Sequence, residues 1–571
     1  MAKTNKKDLI EKEESTANLK TETKNVNSKV KTDGKGKNNG SRDNNRNSGK
    51  RRGTNDPSWY AYSAVAASDN ATLNFGTQAG APFSYDVTNV SGSDSSVMGY
   101  IFSDKGIISK KSFPGILAIH WQPVIGRYDS REAPINQAAF ELYTNTRMKA
   151  KITYKYDAPD LMKYVLTMTS MYALYAHLNR IYGIVNLYNR ENNYVPRALG
   201  DVLGVDLQDI ATNMSDYRAW LNNQAFKLSK FAIPESLYIA ARWITVMSNV
   251  YTDSDSTKSQ LYVHVPEYFW QYSEETGDVT AKYWIDWQNS GTTYKKKTYA
   301  DIVAYWNDLM SPLFNNQDFN EMSANISLAY SPALVTMPIV DVNYMVLPVK
   351  DEGMLLQIQN GRAVGHLQTP TIQTNTTTNG LEMKSSVYYP APKWRSGPGM
   401  VWTQLFNTDA TRTSPLDVLE GSVNLVIADN ETISISDGHV QASYNIKDTG
   451  PDVISCYQIF YNGSSDGEEF SLKSTVPFTS SIAAVTNTED PEDAVQMNDI
   501  ITKLSNFDWH PIIRVSTGAI VADGDVSKFG IQHSDVLCDI DNYALVSRQI
   551  SKNIHDLMML SVFRIPEVKN I

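Results

Sequence analysis

The feature that most limits how this chain can fold is an abrupt change in composition near residue 59. All 32 tyrosines, 17 phenylalanines and 11 tryptophans lie at or after Trp59. Residues 1–55 are mainly Lys, Asn, Gly, Ser and Thr, and such a segment buries too little apolar surface to offset the entropy lost on ordering. The sequence therefore predicts a disordered arm, with a reach of about 40 Å, followed by a large folded body.

The formal net charge of −10 is divided unevenly between arm and body. Residues 1–23 are neutral overall, residues 24–52 carry +8, and residues 53–571 therefore carry −18. The candidate phosphate contacts are the ten basic side chains Lys24, Lys29, Lys31, Lys35, Lys37, Arg42, Arg46, Lys50, Arg51 and Arg52. Because this run has no aromatic residue to stack on bases, we expect a contact with nucleic acid that is independent of sequence and weakened by salt. The alternative is a solvated tail that aids solubility.

Cysteine usage and hydropathy exclude several classes of protein. Cys456 and Cys538 are the only cysteines, so we expect neither a disulfide framework nor a cysteine zinc site, and a reducing compartment fits best. The N-terminus shows no secretory or myristoylation pattern. The most apolar long stretch, residues 161–188, is interrupted by polar and charged residues and is predicted to be a buried helix rather than a membrane span. We therefore expect no stable membrane insertion.

Periodicity predicts a mainly α body with a β-rich insertion, an α+β fold. Apolar residues recur every three or four positions from Leu161 to Val185, which indicates one long helix with Pro159 in its first turn. Further helices are expected at 134–150, over three segments between 196 and 250, at 298–314, after Pro491 and at 541–562. Residues 383–485 alternate in the manner of strands.

No motif in the chain supports catalysis or metal binding. The "GSSDG" at 463–467 matches a nucleophile elbow, but strand-like residues follow it where a helix is required, so we expect a hairpin turn. The "DGD" at 523–525 lacks the later ligands of a calcium loop, and "GKGKNNG" at 34–40 lacks dinucleotide-loop spacing. The eight histidines are scattered. We therefore predict no catalytic residue, no metal and no cofactor. Asp56–Pro57 is a candidate for cleavage, although a rigid exit from the arm is favoured.

The abundant aromatic residues have two interpretations. They could form a platform for sugars, but large amphipathic side chains more often serve as core and interface anchors. The candidates for a contact between subunits lie in the helical block 134–250, and they are Tyr172, Tyr175, Trp220 and Trp243. Sequence alone does not separate interface residues from core residues.

Several short stretches, taken in order, resemble the capsid proteins of picobirnaviruses, which have bisegmented double-stranded RNA genomes. The stretches are "PGILAI" (114–119), "APINQAA" (133–139), "DLMKYVLTMTSMY" (160–172), "YVPRALGDVLGVD" (194–206), "SNVYTDSD" (248–255), "GRAVG" (361–365), "FDW" (507–509) and "MLSVFRIPEV" (559–568). Each stretch alone is weak, whereas their order and spacing together are specific.

The resemblance implies a helical shell domain of residues 56–370 and 491–571, a smaller projecting domain of residues 371–490, and a lumen-facing arm of residues 1–55. It implies sixty dimers that close a single-layer icosahedral shell around the genome, with subunits intertwined through exchanged N-terminal segments. It further implies a structural protein of the virion, assembled in the host cytoplasm with a packaged viral polymerase, whose arm can be lost by proteolysis.

Two other functions fit parts of the sequence. One is a carbohydrate-active or other aromatic-rich enzyme, and the other is a non-viral nucleic-acid-binding protein. A closed particle of megadalton size would favour the capsid protein. A monomer with a deep cleft would favour the enzyme, and a monomer that binds RNA through its body would favour the non-viral nucleic-acid-binding protein.

Overall fold

The structure is a computed structural model that describes residues 55, 57–60 and 115–566. Within the last range it leaves out 152–154, 189–193, 255–258, 286–294, 389–404, 409–413, 427–428, 437–438, 446–447, 464–471, 486–491, 524–525 and 538–541. By its contacts the chain divides into two units, Met1–Arg52 and Gly53–Ile571. All described residues belong to the second unit, which is called the body below.

The described helices follow a short 3-10 helix, Pro57–Tyr60, which is called the N-terminal anchor together with Asn55. They are α1 (Pro134–Ala150), α2 (Ala158–Val185), α3 (Tyr194–Val202), α4 (Leu207–Thr212), α5 (Met214–Leu228), α6 (Tyr238–Ser248), α7 (Tyr299–Asn315), α8 (Gln317–Tyr330), α9 (Glu352–Asn360), α10 (Pro415–Gly421), α11 (Glu492–Leu504) and α12 (Arg548–Val562).

The described strands are spread along the whole body. They are β1 (Ile116–Pro123), β2 (Tyr251–Thr252), β3 (Leu261–Pro266), β4 (Tyr268–Tyr272), β5 (Val279–Tyr283), β6 (His366–Asn375), β7 (Gly380–Tyr388), β8 (Leu405–Thr408), β9 (Asp429–Ser436), β10 (His439–Asn445), β11 (Asp452–Asn462), β12 (Leu472–Ser474), β13 (Ser481–Val485), β14 (Ile513–Asp523), β15 (Val526–Leu537) and β16 (Asn542–Leu545).

β1 lies at the middle of the central sheet, whose strand order is β12-β11-β1-β3-β2. It runs parallel to β3, from Ile116 opposite Leu261 to Trp121 opposite Pro266, and antiparallel to β11. A parallel pair needs a long crossover, and helices α1 to α6 provide it. The apolar residues of β1 are buried on both faces, as expected for a strand covered on both sides.

A second sheet has the order β4-β5-β6-β7-β10-β9. Smaller sheets are formed by β13-β14-β15 and by β16-β8. The segment 371–490 therefore contributes β11 and β12 to the central sheet, and half of β6 with β7, β9 and β10 to the second. Its strand β11 is hydrogen-bonded to β1 from the preceding part of the chain, whereas β13 and β8 pair with β14 and β16 from the part that follows.

α2 is the central helix of the body, about 42 Å long. The Asp157 side chain accepts a hydrogen bond from the backbone N–H of Asp160 and caps its start, and Pro159 lies in the first turn. Nearly every side chain of α2 is buried, because α1, α5, α6 and β4 pack around it. A helix that is apolar on all sides is stable only in such a position.

The mixed α+β class is confirmed, and so are the helices expected at 134–150, over Leu161–Val185 and at 298–314, where α7 begins one residue later. The three helical segments expected between 196 and 250 are four helices, α3 to α6. The predicted order of a helical part, a β-rich part and a helical part is too simple, because β1 to β5 precede residue 371 and β14 to β16 follow residue 490. The helix expected from residue 541 begins at Arg548, and β16 occupies 542–545. The helix expected after Pro491 is α11, which begins at Glu492, and Pro491 itself lies outside the described residues. The position of 371–490 on a particle stays a prediction.

Candidate functional site

The first buried polar group, the arginine cluster, is built around Arg242 in α6 and Asp452 at the start of β11. The guanidinium donates from Nε to Asp452 Oδ2 at 3.0 Å and from Nη2 to Asp452 Oδ1 at 3.1 Å, and both side chains are fully buried. Nη1 donates to Gln357 Oε1 at 2.6 Å, and Asn424 Nδ2 donates to Asp452 Oδ1 at 2.6 Å. Burial lowers the pKa of Arg242, but the facing Asp452 carboxylate more than offsets this, so the net pKa is raised. The cluster thus joins α6, α9 and β11 through a charged pair.

The N-terminal anchor is hydrogen-bonded to this cluster. Tyr60 is fully buried, and its hydroxyl accepts from Arg242 Nη1 at 3.4 Å and donates to Asn55 Oδ1 at 2.5 Å. The Asn55 backbone N–H donates to Asp351 Oδ2 at 3.3 Å, and its side-chain amide donates to the Glu420 carboxylate. The anchor therefore belongs to the body and is attached to α9 and α10.

The second buried polar group, the glutamate cluster, surrounds Glu267, which directly follows β3. Its carboxylate accepts hydrogen bonds from Gln122 on Oε2 and from Ser455 on Oε1, and His366 Nδ1 lies against Oε1. Gln122 belongs to β1, Ser455 to β11 and His366 to the first position of β6. One buried carboxylate thus links two sheets.

A β-bulge shapes the glutamate cluster. The register between β1 and β11 shifts between Ile119 and Trp121, so that Ser455 and Cys456 together oppose His120. A bulge changes the direction in which nearby side chains point. Here the imidazole of His120, the carboxylate of Glu267 and the sulfur of Cys456 lie within 4.8 Å of one another.

Burial controls the ionisation of these groups. It lowers the pKa of His120 to about 4, against the opposing effect of the Glu267 carboxylate, so this ring is neutral at pH 7. Burial and the same carboxylate raise the pKa of the Cys456 thiol well above its ordinary value. Burial also raises the pKa of Glu267, but His366 and the other donors more than offset this and bring the net pKa below its ordinary value. The cluster is a carboxylate anion beside a neutral imidazole and a protonated thiol.

The contacts favour a structural role for the glutamate cluster. Imidazole, carboxylate and thiolate are ligands that Zn²⁺ accepts, but around one ion they would lie about 3.4 Å apart. The donor atoms here span up to 4.8 Å, and both oxygens of Glu267 already accept hydrogen bonds. A nucleophilic cysteine needs a lowered pKa and access to substrate, whereas Cys456 is fully buried and its pKa is raised. The cluster therefore serves to fix β1, β6 and β11 against one another.

Sequence reasoning did not identify either cluster. Both central residues stand inside apolar runs, Arg242 in "IAARWITV" (239–246) and Glu267 in "VHVPEYFW" (263–270). Charged side chains are rarely fully buried unless they are paired, so a charge inside such a run was the available signal. The partner Asp452 lies 210 residues from Arg242, and no local pattern connects the two.

The structure places the predicted site residues in two groups. The ten basic residues from Lys24 to Arg52 lie outside the described residues, so their contact with RNA stays a prediction. Tyr172, Tyr175 and Trp243 are buried in the core of the body, while Trp220 is half-buried and packs against Trp306. Their participation in a contact between subunits also stays a prediction, and Trp220 alone among them retains exposed surface.

Most of the "GSSDG" run and most of the "DGD" run lie outside the described residues. The "GSSDG" run stands between β11 and β12, which pair in the antiparallel direction. The "DGD" run stands between β14 and β15, which also form an antiparallel pair. The hairpin turn expected at "GSSDG" stays a prediction.

Across the described part of the chain, no helix combines the length and the apolarity that crossing a membrane requires.

Comparisons with known proteins agree with one another. The family model described as "Picobirnavirus, Capsid protein" matches residues 59–387. The capsid protein precursor of human picobirnavirus (strain Human/Thailand/Hy005102/-) is 23% identical over 538 residues, which cover 90% of this chain and 91% of that protein. The X-ray crystallographic structure of the picobirnavirus capsid has a similar fold, with a TM-score of 0.63, 21% identity, and coverage of 89% of this chain and 98% of the other.

These similarities define a class first: this is a viral capsid protein, a structural component of the virion. Within that class the chain belongs to the picobirnavirus capsid protein family. A capsid is built from many copies of its subunit, so the protein associates with itself.

Proposed function

We propose that this capsid protein assembles as dimers, sixty per particle, into a single-layer icosahedral shell around a double-stranded RNA genome. The basic residues 24–52 contact the RNA without reading its sequence. Segment 371–490 projects outward, and the other parts of the body form the wall. Assembly takes place in the host cytoplasm, and a viral polymerase is packaged with the genome.

The observation that carries the RNA-binding role is the position of the N-terminal anchor directly after the basic run. Asn55 and Tyr60 are bonded to the body through Asp351, Glu420 and Arg242. The basic run ends at Arg52, three residues before Asn55. A fully extended chain from Lys24 to Asn55 spans at most about 110 Å. The net charge of +8 on residues 24–52 therefore stays within that distance of the N-terminal anchor of the same subunit.

The charge division supports a loose contact with the genome. The body carries −18 and repels phosphate, whereas the basic run carries +8 and attracts it. Each subunit then holds RNA through point charges on one segment only. A contact of this kind neutralises the duplex without fixing its position.

The test combines particle formation with RNA content. Full-length protein is expressed, sized and examined by electron microscopy, and nuclease-protected RNA is measured per subunit. Wild-type protein should form closed particles of uniform diameter. Deletion of residues 1–52 should leave particle formation intact and reduce protected RNA several-fold.

Two further deletions act as controls. Deletion of residues 1–23, which are neutral overall, should leave the RNA content unchanged. Deletion of residues 1–60 also removes the anchor and should reduce the yield of folded protein. If the 1–52 deletion packages as much RNA as the wild type, the arm does not contact the genome. Intact mass of the particle-associated chain would reveal any processing near Asp56–Pro57.

A further inference from the structure

The segment between α8 and α9, residues 331–350, is called the strap. Its sequence is "SPALVTMPIVDVNYMVLPVK", and from 331 to 347 Asp341 is the single charged side chain. The strap contains no helix and lies against α2 and α5. Its backbone faces the body, and much of its apolar side-chain surface faces outward.

Tyrosines of α2 hold the strap backbone. The Tyr175 hydroxyl donates to the carbonyl of Pro338 at 3.2 Å, and the Tyr182 hydroxyl donates to the carbonyl of Val342 at 3.1 Å. One turn further along α2, Asn186 Nδ2 donates to the carbonyls of Val342 and Tyr344 at 3.2 and 2.8 Å. The central part of the strap is therefore fixed in position by side chains of the buried helix.

Two further contacts fix the same part of the strap. The side chain of Asn222 in α5 accepts from the backbone N–H of Val340 at 2.7 Å and donates to its carbonyl at 3.2 Å. The backbone N–H of Val346 donates to the carbonyl of Gly183 at 3.3 Å. A Cβ on Gly183 would lie 2.6 Å from Val346 Cγ2, so this close approach requires glycine.

Against this fixed backbone the strap exposes a row of large apolar side chains. They are Ile339, Val342, Met345, Leu347 and Val349, with exposed fractions from 41% to 62%. Taken together they expose on the order of 500 Å² of apolar surface, which is as large as the largest patch on a typical monomer.

Neighbouring helices extend the patch. Phe226 lies one turn after Asn222 on α5, and Leu328 lies two residues before the end of α8; both are more than 60% exposed. A standard protein interface uses about 800 Å² on each partner. The strap alone supplies more than half of that area. Because its backbone is already held by hydrogen bonds, little conformational entropy is lost when a partner binds.

We propose that the strap is a contact surface between copies of this chain, with a second subunit as its occupant. This proposal rests on the proposed self-assembly of the protein, and it identifies the surface through which two subunits bind each other. Cores of protein interfaces are depleted of charged residues, as this segment is. RNA is a poor occupant, because phosphate contacts need cations, and the strap carries the acidic Asp341 and one lysine, Lys350, which is paired with Glu352 at 3.1 Å.

The first experiment places charge in the patch. The double variant Ile339→Lys/Leu347→Lys changes two exposed side chains, so the subunit should fold and keep the circular dichroism spectrum of the wild type. The concentration at which half of the protein is assembled should rise at least tenfold. The matched control Val495→Lys adds a lysine at a 46% exposed valine on α11 and should assemble as the wild type does.

The second experiment identifies the occupant. A photo-crosslinking residue replaces Leu347 in a mixture of two differently tagged full-length chains, with position 495 as the control. A product that carries both tags supports the proposal. A product confined to one chain, with the link to residues 61–114, shows that the chain covers its own strap and overturns it.

The two experiments also separate this inference from the proposed function. If the wild type forms closed shells, the double lysine variant assembles equally well and no product carries both tags, the strap proposal is wrong while the shell remains. If the two-tag product forms but no shell appears at any concentration, the strap contact stands and the icosahedral shell is wrong.

Discussion

Replacing Asp452 by leucine tests how much the arginine cluster stabilises the body. The change removes the carboxylate that accepts two hydrogen bonds from Arg242 and leaves that guanidinium buried without a counter-charge. An unpaired buried charge costs about 3–5 kcal/mol. Gln357 and Asn424 still face the guanidinium and stabilise it, so we expect a loss of about 3 kcal/mol, at the lower end of that range.

The size of the body sets the change in melting temperature. Unfolding entropy near 2.1 cal/mol/K per residue amounts to about 1.1 kcal/mol/K for a body of about 520 residues, so a loss of 3 kcal/mol corresponds to roughly 3 °C. Calorimetry on subunits kept apart at low concentration measures this shift. The control Asp308→Ala removes an exposed pair with Lys282, and such pairs contribute less than about 1 kcal/mol.

A double-mutant cycle separates the pair from its surroundings. Arg242→Met and Asp452→Leu should each destabilise the body, and the double variant should lose less than the sum of the two because neither buried charge remains. We expect a coupling of at least about 2 kcal/mol. Additive losses, or a shift below about 1 °C for Asp452→Leu, would show that the pair does not hold the body together.

Four further outcomes are expected. RNA uptake should fall steeply with salt, with a log–log slope of order −7 to −9 per arm if all ten bases of residues 24–52 engage phosphates; uptake that is independent of salt would indicate base-specific recognition. Burial lowers the pKa of His555 to about 4, so between pH 6.5 and 4 the unfolded chain binds the extra proton and stability falls as pH falls, by up to about 3 kcal/mol from this residue; His555→Gln should remove this part of the dependence in pH-resolved denaturation and leave the part that comes from His120. A Gly/Ser-rich epitope tag between Thr377 and Thr378, in the exposed turn joining β6 and β7, should leave particles intact and bind antibody; a tag accessible only after disruption would place this turn inside. Trp220→Ala should give folded subunits that assemble poorly, whereas Trp243→Ala should lower the melting temperature, and normal assembly of both would remove this helical block from the subunit contact.

The sequence predicted helices best where caps and periodicity agree. α2 combines a proline in the first turn, an aspartate cap and a repeat of apolar residues, all of which act within a few residues of one another. α7 has a complete capping box between Thr298 and Asp301. Sequence analysis overlooked α8, α9 and α10, and α10 lies within the stretch 383–485 that was expected to form strands. α9 is nine residues long and fully buried apart from its first position, so it shows no apolar face to recognise.

Strand pairing was harder to predict, because its partners are distant in sequence. The run "GILAIHW" (115–121) is strand-like and contains most of β1, but the pairing of β1 with β3 and β11 joins residues about 145 and about 330–345 positions apart. The strands β14 and β15 were not expected at all. Local pattern carries no information on which strands meet, so the order of the sheets had to come from the structure.

The sequence by itself predicts the division between arm and body, because composition governs whether a segment can bury enough surface to order. It determined the central helix, whose signals are local, and the family, whose motifs recur in order along the chain. The tertiary structure decided which charges are buried and what the strap presents. Arg242 meets Asp452, Glu267 meets Ser455, and the strap turns its apolar side chains outward, because contacts between distant segments determine which groups lose water and which keep it.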